Sequence, residues 1–393
     1  MIEEFEPIKK KKIIKKKRKS RRKRMVSQKK NNSKIMWLFS FSFIFIVLIT
    51  SITFCIYLEK KYLGRKEMII EIVYNKNSKP PNVKTVTITT AGDCTLGADT
   101  NFGYYGQFDW WYYNVAKEND GYYFEKVKHL FVNDDYSYVN LEGTLTDYKV
   151  KTPPKEFNFR GDPRYVNILK EGSIEGVNLA NNHSNDYGDV GYNDTKNTLT
   201  NAKIDYFGHQ DVLIKEFKGK KFAFVGYTGV GLWIDSNNEM ARTIRRLKEE
   251  EHVDIVIANF HWGMEYSNSM TQTQINRAHL AIDSGADIVI GSHPHCLEGM
   301  EMYKGKYIVY SLGNFVFGGN SHPRSIGREC IIVKMFFEFT DRNLLNIRVK
   351  LYPCSISTDA SRNNYQPVEV FDGEKQRLIN LINRNSINYK YEE

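Results

Sequence analysis

Short apolar runs alternate with helix-like segments through most of the chain after residue 82. Strand-like runs lie at 83–93, 135–143, 174–183, 221–229, 253–263, 286–295, 306–317, 329–339 and 344–354. Several of these runs are apolar and β-branched on both faces, which is typical of interior strands covered on both sides. Between them, Ile275, Ala278 and Ile282 recur at helical spacing, and Gly285 is well placed to end that helix. The pattern predicts an α/β domain with at least one layered sheet over residues 83–358, followed by a polar, weakly patterned extension at 359–393.

A different pattern precedes this domain. Residues 35–58 are uncharged and predominantly apolar, and a helix of that length can cross the roughly 30 Å hydrocarbon core of a bilayer. The run is longer than the apolar region of a signal peptide, and no small-residue cleavage site follows it. We therefore expect one uncleaved N-terminal transmembrane helix at 35–58, joined to the domain by a polar stalk at 59–82.

The positive charge of the chain is concentrated before that apolar run. Residues 1–34 carry sixteen Lys/Arg and three Glu, a net charge of +13, and subtracting this from the whole-chain value of +10 leaves −3 for the remainder. A slightly acidic globular part gives no general basis for nucleic-acid binding. The positive-inside rule places the tail at 1–34 in the cytoplasm, against anionic membrane lipid. We expect a single-pass protein of the cell membrane with an extracellular C-terminal domain and no nucleic-acid partner.

The cysteines leave one question open. Cys330 and Cys354 lie at nearly equal distances from the turn-like TDRN at 340–343, so they could face each other across a hairpin. An oxidising exterior permits a disulfide at this position, and two unpaired core thiols are the alternative.

Polar side chains collect where the predicted strands end. These side chains are Asp93, Asn140, Glu142, Asn181, Asn182, His183, His261, Glu265, His293 and His295. In open α/β sheets, ligands bind at the edge formed by the carboxyl ends of the strands. Imidazole, carboxylate and amide ligands suit Mn, Fe or Zn, and two such ions about 3.5–4 Å apart would activate water and hold an anionic oxygen. We expect structural roles for four histidines outside this set, His129, His209, His252 and His279.

Six motifs in this region resemble those of the CapA/PgsA family of poly-γ-glutamate (capsule) biosynthesis proteins. In chain order they are GDCTLG, NLEGTLT, LANNHSNDYG, NFHWGMEY, GSHPH and YSLGNFVFG, which together span about residues 85–320. That family in turn resembles calcineurin-like metallophosphoesterases. The resemblance implies that the domain is a layered α/β/β/α metallophosphoesterase-like sandwich, preceded here by the N-terminal transmembrane helix.

The resemblance also implies a divalent metal site. The implied metal ligands are Asp93, Glu142, Asn182, His261, His293 and His295. His183 would lie next to the reacting group, and Asp93 is the second catalytic candidate. Candidate substrate contacts are Arg160, Asn181, Glu265 and Asn314. Arg160 could bind a carboxylate through two hydrogen bonds, with a surface salt bridge as the alternative, and Asn314 could instead brace the site from a neighbouring strand.

Two departures from the metallophosphoesterase pattern bear on the predicted function. The usual Asp-x-His is here Asp93 followed by Cys94 and Thr95, and Glu142 stands where aspartate is common. One metal is therefore expected to be held weakly, and phosphoesterase chemistry does not follow from the fold. We expect a component of poly-γ-glutamate production that binds or processes this anionic polymer together with other membrane subunits of a polymer synthase. The alternatives are an extracytoplasmic metallohydrolase of phosphoesters or γ-glutamyl bonds, and a non-catalytic scaffold.

Overall fold

The structure is a computed structural model that describes residues 83–152, 155–341 and 343–392. The predicted tail at 1–34, transmembrane helix at 35–58 and stalk at 59–82 therefore lie outside the described residues. Within the described part, no helix is both long and apolar enough to cross a membrane.

The described chain folds into sixteen strands and six α-helices. The strands are β1 (Lys84–Thr95), β2 (Tyr136–Leu141), β3 (Thr144–Leu145), β4 (Arg160–Gly161), β5 (Gly176–Asn178), β6 (Asp205–Phe207), β7 (Leu213–Phe217), β8 (Lys220–Thr228), β9 (Ile255–His261), β10 (Ile288–Ser292), β11 (Met300–Tyr303), β12 (Lys306–Val309), β13 (Asn314–Phe317), β14 (Glu329–Phe339), β15 (Leu344–Ser355) and β16 (Val368–Glu369). The helices are α1 (Phe108–Asn114), α2 (Val166–Glu171), α3 (Gly188–Ala202), α4 (Asn237–Glu249), α5 (Gln272–Asp283) and α6 (Asp372–Asn385).

The first sheet is mixed and has β1 near its centre. Its order is β16-β15-β14-β1-β2-β5-β6, and β13 also pairs with β1 beyond Asp93. On one side of β1, strands β2, β5 and β6 run parallel to it. On the other side, β14, β15 and β16 each pair antiparallel with the preceding strand in the sheet. Gly92 lets β13 come close, because a Cβ at Gly92 would lie 1.9 Å from the carbonyl oxygen of Gly313.

The second sheet runs in the order β11-β12-β10-β9-β8-β7. Its four central strands are parallel, and β7 and β11 pair antiparallel at the two edges. The helix α5 between β9 and β10 begins with a capping box. The Thr271 hydroxyl accepts from the backbone nitrogen of Gln274 at 3.3 Å. In return, the side-chain oxygen of Gln274 accepts from the backbone nitrogen of Thr271 at 2.7 Å.

Three apolar cores hold the two sheets and the helices together. One face of the first sheet packs against α1, α2 and α3 in a core that includes Val139 and Leu199. The other face packs on the second sheet through residues such as Ile88 and Ile257. The outer face of the second sheet is covered by α4 and α5, with Ile244 in that third core. The predicted α/β fold with several sheets is confirmed, and the layer order is helices, sheet, sheet, helices.

The region after residue 358 is more ordered than its weak pattern indicates. Helix α6 lies there, and its buried residues Leu378, Ile379 and Ile382 join the core between the sheets. Its other residues are mostly polar, so the apolar stripe is narrow and does not by itself indicate a helix. In the predicted hairpin, Cys330 and Cys354 do lie directly opposite each other on β14 and β15, as buried free thiols.

Candidate metal centre

Strand ends from both sheets converge on one buried cluster. Asp93 lies near the end of β1, Glu142 follows β2 directly, and His261 ends β9. His293 and His295 follow β10 on the next turn. Asp93, Glu142 and His261 are completely buried, and the two later histidines are nearly so. The carboxylates therefore come from the first sheet, and these three imidazoles come from the second.

Glu142 is the focus of this cluster. Both of its carboxylate oxygens are buried and have no hydrogen-bond partner among the described residues. Its Oε1 lies 3.8 Å from Nε2 of His183, 3.6 Å from Nε2 of His261 and 3.7 Å from Nε2 of His295. These distances are too long for hydrogen bonds. The distances to His261 and His295 suit atoms that share one ion, because ligands each about 2.0–2.2 Å from a metal lie about 3–4 Å apart.

Two overlapping groups of side chains meet the geometry of a metal site. One consists of Glu142, His293 and His295, and the other of Asp93, Glu142 and His261. In each group the ligand atoms lie within 4.8 Å of one another. Glu142 belongs to both groups, so it is the residue that could connect two ions.

Asp93 is held in place by neighbours that include a residue not assigned from the sequence. Its Oδ1 accepts from the Asn140 side-chain amide at 2.8 Å, and its Oδ2 accepts from the backbone nitrogen of His293 at 3.2 Å. Asn140 in turn accepts from the Asn178 amide at 3.0 Å. The strand pattern predicts Asn140 at this strand end but indicates no role for it. In the structure, its side-chain amide orients the Asp93 carboxylate.

Asn182 reaches the same cluster from the loop after β5. Its Oδ1 lies 2.6 Å from Nε2 of His261, which in turn lies 3.1 Å from Nδ1 of His293. An amide oxygen and two imidazole nitrogens are therefore directed at one small volume. All six side chains predicted as metal ligands are brought together.

The backbone around the two late histidines is unusual. His293 has φ +96° and His295 has φ +54°, both in the left-handed region that non-glycine residues seldom adopt. Such conformations cost on the order of 1–3 kcal/mol each. The GSHPH turn therefore directs both rings into the cluster at a cost in backbone strain.

Burial keeps two of the imidazoles neutral. Burial, with the neighbouring His295 and His183, lowers the pKa of His293 to about 3. Burial and the adjacent His293 likewise hold the pKa of His261 well below its ordinary value. A neutral imidazole has a free lone pair, so both rings are in the protonation state that binds a metal.

The pKa of the Glu142 carboxyl group shifts in the opposite direction, upward. Burial raises the pKa of Glu142 well above its ordinary value; the charge of His295 opposes this shift, and the charge of Asp93 adds to it. Burial alone would lower the pKa of His295, but the carboxylates of Glu142 and Asp93 outweigh it and raise that pKa to about 10. Without a metal, Glu142 and His295 therefore share a proton, and a divalent cation can replace that proton.

His183 lies beside the cluster with a partner of its own. Its Nδ1 lies 2.7 Å from Oδ2 of Asp186, and Asp186 Oδ1 accepts from the Lys155 ammonium at 2.7 Å. The ring packs on Phe159 with a centroid distance of 4.3 Å. With Nδ1–H donating to the Asp186 carboxylate, Nε2 is the nitrogen that faces Glu142. Asp186 and Lys155 were missed, although an aspartate three residues after His183 was a usable signal.

The four predicted substrate contacts lie in different surroundings. The Asn181 side chain is buried and bonds to the Leu141 carbonyl and the His183 nitrogen. Asn314 is buried, and its amide group bonds to His295 and to Gly327. Arg160 is half-buried and donates to the Thr146 carbonyl at 3.0 Å.

Glu265 is exposed, and its charge contributes to the pKa shifts of Glu142 and His295. Of the four residues, it therefore has the position from which a substrate could be contacted without displacing a buried hydrogen bond. Asn181 and Asn314 hold the loop and the histidine in place.

Thr95 occupies the position of the histidine in the metallophosphoesterase pattern Asp-x-His, and the intervening Cys94 does not supply a ligand in its place. Its side chain packs in the core beneath α1 to α3, and burial raises the pKa of the thiol. A protonated thiol in an apolar core does not bind a metal. The Asp93 side of the cluster therefore lacks one ligand that the pattern would provide.

Sequence comparisons assign the family. Residues 87–319 match the model of the bacterial capsule synthesis protein PGA_cap family. The chain belongs to this family, whose matched region contains every candidate metal ligand.

Two relatives from Bacillus are similar to this chain. The PGA biosynthesis protein CapA of Bacillus subtilis (strain 168) is 34% identical over 213 residues, which are 49% of this chain and 56% of the relative. The capsule biosynthesis protein CapA of Bacillus anthracis is 29% identical over 280 residues, covering 65% and 64% of the two chains. The chain thus spans less than two thirds of the length of either relative.

Among solved structures, TT1561 of Thermus thermophilus is 12% identical to this chain, with a TM-score of 0.36. The match covers 68% of this chain and 99% of that one.

Proposed function

We propose that this chain takes part in poly-γ-glutamate production as a membrane-anchored extracytoplasmic component whose metal centre binds or processes the anionic polymer. One observation carries the metal centre: three imidazole nitrogens face the Glu142 carboxylate, which has no hydrogen-bond partner in the described part of the chain. Family membership and the names of the two Bacillus relatives support the polymer.

The donor set fits a divalent transition metal. The ligands would be Asp93, Glu142, Asn182, His261, His293 and His295. Mixed imidazole and carboxylate donors suit Mn, Fe or Zn. When bound, such an ion supplies positive charge for a carboxylate or phosphate oxygen and lowers the pKa of water.

The protein's own residues would orient the substrate and move a proton. Asp186 keeps the proton on Nδ1 of His183, which leaves Nε2 free to accept or donate a proton at the cluster. Lys155 holds the Asp186 carboxylate in place through its 2.7 Å contact. Phe159 covers one side of the imidazole, so water reaches the ring from fewer directions.

A second candidate function is hydrolysis of phosphoesters or γ-glutamyl bonds. The layers of helices, sheet, sheet and helices, with candidate ligands at strand ends, support a metallophosphoesterase-like sandwich. The His183–Asp186 pair supports acid–base chemistry at this site. A non-catalytic scaffold would need neither feature.

Anchoring is proposed from the sequence of residues 1–58. The uncharged run at 35–58 would cross the membrane, and the basic tail would contact anionic lipid on the cytoplasmic side. Other membrane subunits of a polymer synthase would then meet the chain in the bilayer. A reporter fused to the C-terminus should be active only outside the cytoplasm, and cytoplasmic activity would refute this topology.

The substitution His183→Gln tests the proposed activity. Glutamine keeps similar size and some hydrogen bonding but does not titrate, and an acid–base group typically contributes about 10²–10⁴ in rate. The variant should fold and keep its metal, yet fail to restore polymer in a deletion strain. It should also lose any hydrolysis of phosphodiester or γ-glutamyl model substrates.

His279→Gln is the matched control, because His279 also pairs with a carboxylate, at 2.9 Å from Glu301, away from the cluster. It should restore polymer in full. Full restoration by both His183→Gln and Asp93→Asn at equal protein level would refute catalysis and favour the scaffold.

A further inference from the structure

A second cavity lies apart from the candidate metal ligands. It has a volume of about 690 Å³ and lies between α3, the turn at 208–212, the end of β8, the loop at 229–236 and α4. No candidate metal ligand lines it. Small-molecule sites typically have volumes of about 300–1,000 Å³, so this cavity is large enough for a ligand of one or two rings.

Three rings form one side of the cavity. Tyr192 and Trp233 meet at 86° with centroids 5.3 Å apart, and His209 meets Trp233 at 82° and 5.7 Å. Tyr192 and His209 are 6.3 Å apart at 75°. Since the three planes are nearly perpendicular to one another, they offer both a flat apolar face and ring edges to a ligand.

His209 is fixed with one nitrogen unused. Its backbone has φ +55°, and its Nδ1 lies 3.2 Å from Oδ2 of Asp235. Its Nε2 is buried and has no hydrogen-bond partner among the residues described. A buried polar nitrogen without a partner costs stability unless a ligand or water satisfies it. His209 therefore has a hydrogen-bonding position available for a ligand in this cavity.

The charges around the cavity nearly cancel. Lys196 bonds to Asp211 at 2.7 Å, and Arg246 forms an ion pair with Glu251 outside the lining. The lining holds two cations and three carboxylates, the other acids being Asp235 and Glu239. Because both cations are already paired, the cavity does not suit an anionic polymer. Its polar groups instead include both donors and acceptors, as a ligand with many hydroxyl groups requires.

We propose that this cavity binds a neutral saccharide unit. A pyranose presents an apolar C–H face, which suits Trp233, and a rim of hydroxyl groups, which suits the mixed donors and acceptors. The loop at 229–236 also touches the metal cluster, since the Gly229 nitrogen donates to the His261 carbonyl at 2.8 Å. A glycan held here would therefore lie beside the metal centre, and the proposal does not depend on the function of that centre.

Binding to a neutral disaccharide tests the proposal. The full chain in a detergent without a sugar headgroup should bind N,N′-diacetylchitobiose, seen as saturation transfer in NMR and as a change in tryptophan fluorescence. Added salt should leave the affinity unchanged, because the ligand is uncharged. Trp233→Ala should weaken binding at least roughly tenfold, which corresponds to about 1.4 kcal/mol.

Leu232→Ala is the matched control, since Leu232 is exposed on the same loop and does not line the cavity. It should bind like the wild type. Retention of the protein on insoluble chitin would show that the bound saccharide unit belongs to a glycan chain. Binding of the soluble disaccharide alone would show that the ligand is a free sugar.

Three results would overturn the proposal. They are absence of disaccharide binding by the wild-type chain, unchanged affinity in Trp233→Ala, and salt-dependent displacement of the disaccharide by tri-γ-glutamate or tetramethylammonium. Metal content measured on the same samples shows whether each variant has kept its fold around the neighbouring centre.

Discussion

Two buried glutamates, Glu142 and Glu298, have different surroundings in this fold. Both are fully buried, and burial raises the pKa of each. Each has at least one oxygen without a hydrogen-bond partner within the described residues. Around Glu142, ring nitrogens of three histidines lie within 3.8 Å of Oε1. Around Glu298, the Gln274 amide donates one hydrogen bond at 2.7 Å.

The comparison shows that burial and a shifted pKa do not by themselves identify a site. A carboxyl group in the surroundings of Glu298 can remain protonated, and a neutral acid needs no counter-charge. Glu142 lies next to Asp93 and to neutral imidazoles, which are ready to bind a cation. Converging lone pairs therefore distinguish the candidate metal centre from a buried structural acid.

The largest expected difference between the two glutamates is in metal binding. Glu142→Gln removes the charge that both candidate groups share, so metal affinity should fall by more than roughly hundredfold; even residues that only support ligands contribute about 10–100-fold. Glu298→Gln should leave metal affinity unchanged. Competition with a chelator, followed by metal analysis, measures both.

Either of two results would remove the distinction between these regions. Wild-type metal affinity in Glu142→Gln would show that this carboxylate is not a ligand. Equal metal loss in Glu298→Gln would show that the cluster responds to any change in the buried interior, and a folding measurement on both variants separates that case from unfolding.

The next effect concerns protons at the Glu142 cluster. Since Glu142 and Asp93 raise the pKa of His295 to about 10, the metal-free protein carries a proton there at neutral pH. Metal binding must release that proton. Affinity should therefore rise with pH, by roughly tenfold per unit for one proton, until the pH passes the pKa of His295.

Titration calorimetry in buffers of different ionisation enthalpy measures this proton release directly. His295→Ala should bind more weakly and lose most of the pH dependence. A wild-type affinity that does not change across the neutral range would contradict the assignment of the proton to His295.

Much of the fold could be predicted because its strands have a simple pattern. Strands β14 and β15 coincide closely with the apolar runs at 329–339 and 344–354. Helix α6 could not be predicted in the same way, because its narrow apolar stripe is outnumbered by polar residues. Strands β3 and β4, which pair with each other, are each two residues long and depend on tertiary contacts that no local pattern shows.

The site was predictable where it depends on strand ends. Asp93, Glu142 and His261 lie at or next to the carboxyl ends of parallel strands, where ligands bind in α/β sheets. Lys155 was not predictable, because it reaches Asp186 from a loop distant along the chain. For Asn314 the sequence left two roles open, substrate contact and a brace for the site, and in the fold its side chain lies 2.9 Å from Nδ1 of His295.

The smallest expected effect is that of Glu298→Gln on the free energy of unfolding. Burial raises the pKa of this carboxyl from 4.5 to about 8, so the native protein holds one proton more than the unfolded chain between these values. Stability contributed by this group is therefore complete below pH 4.5 and is lost as the pH rises toward 8. Glu298→Gln keeps an oxygen that accepts from Gln274 but cannot ionise. The variant should be more stable than the wild type near the upper end of this range, by on the order of 1–3 kcal/mol, and show a flatter pH profile.

Denaturant unfolding of both proteins at several pH values measures this difference, with Glu142→Gln as the comparison. In the metal-free state, Glu142 titrates together with the adjacent His295, so Glu142→Gln should not reproduce the same flattening. Parallel pH profiles for wild type and Glu298→Gln would show that Glu298 is ionised in the native state. The two buried glutamates would then differ in their neighbours but not in their charge.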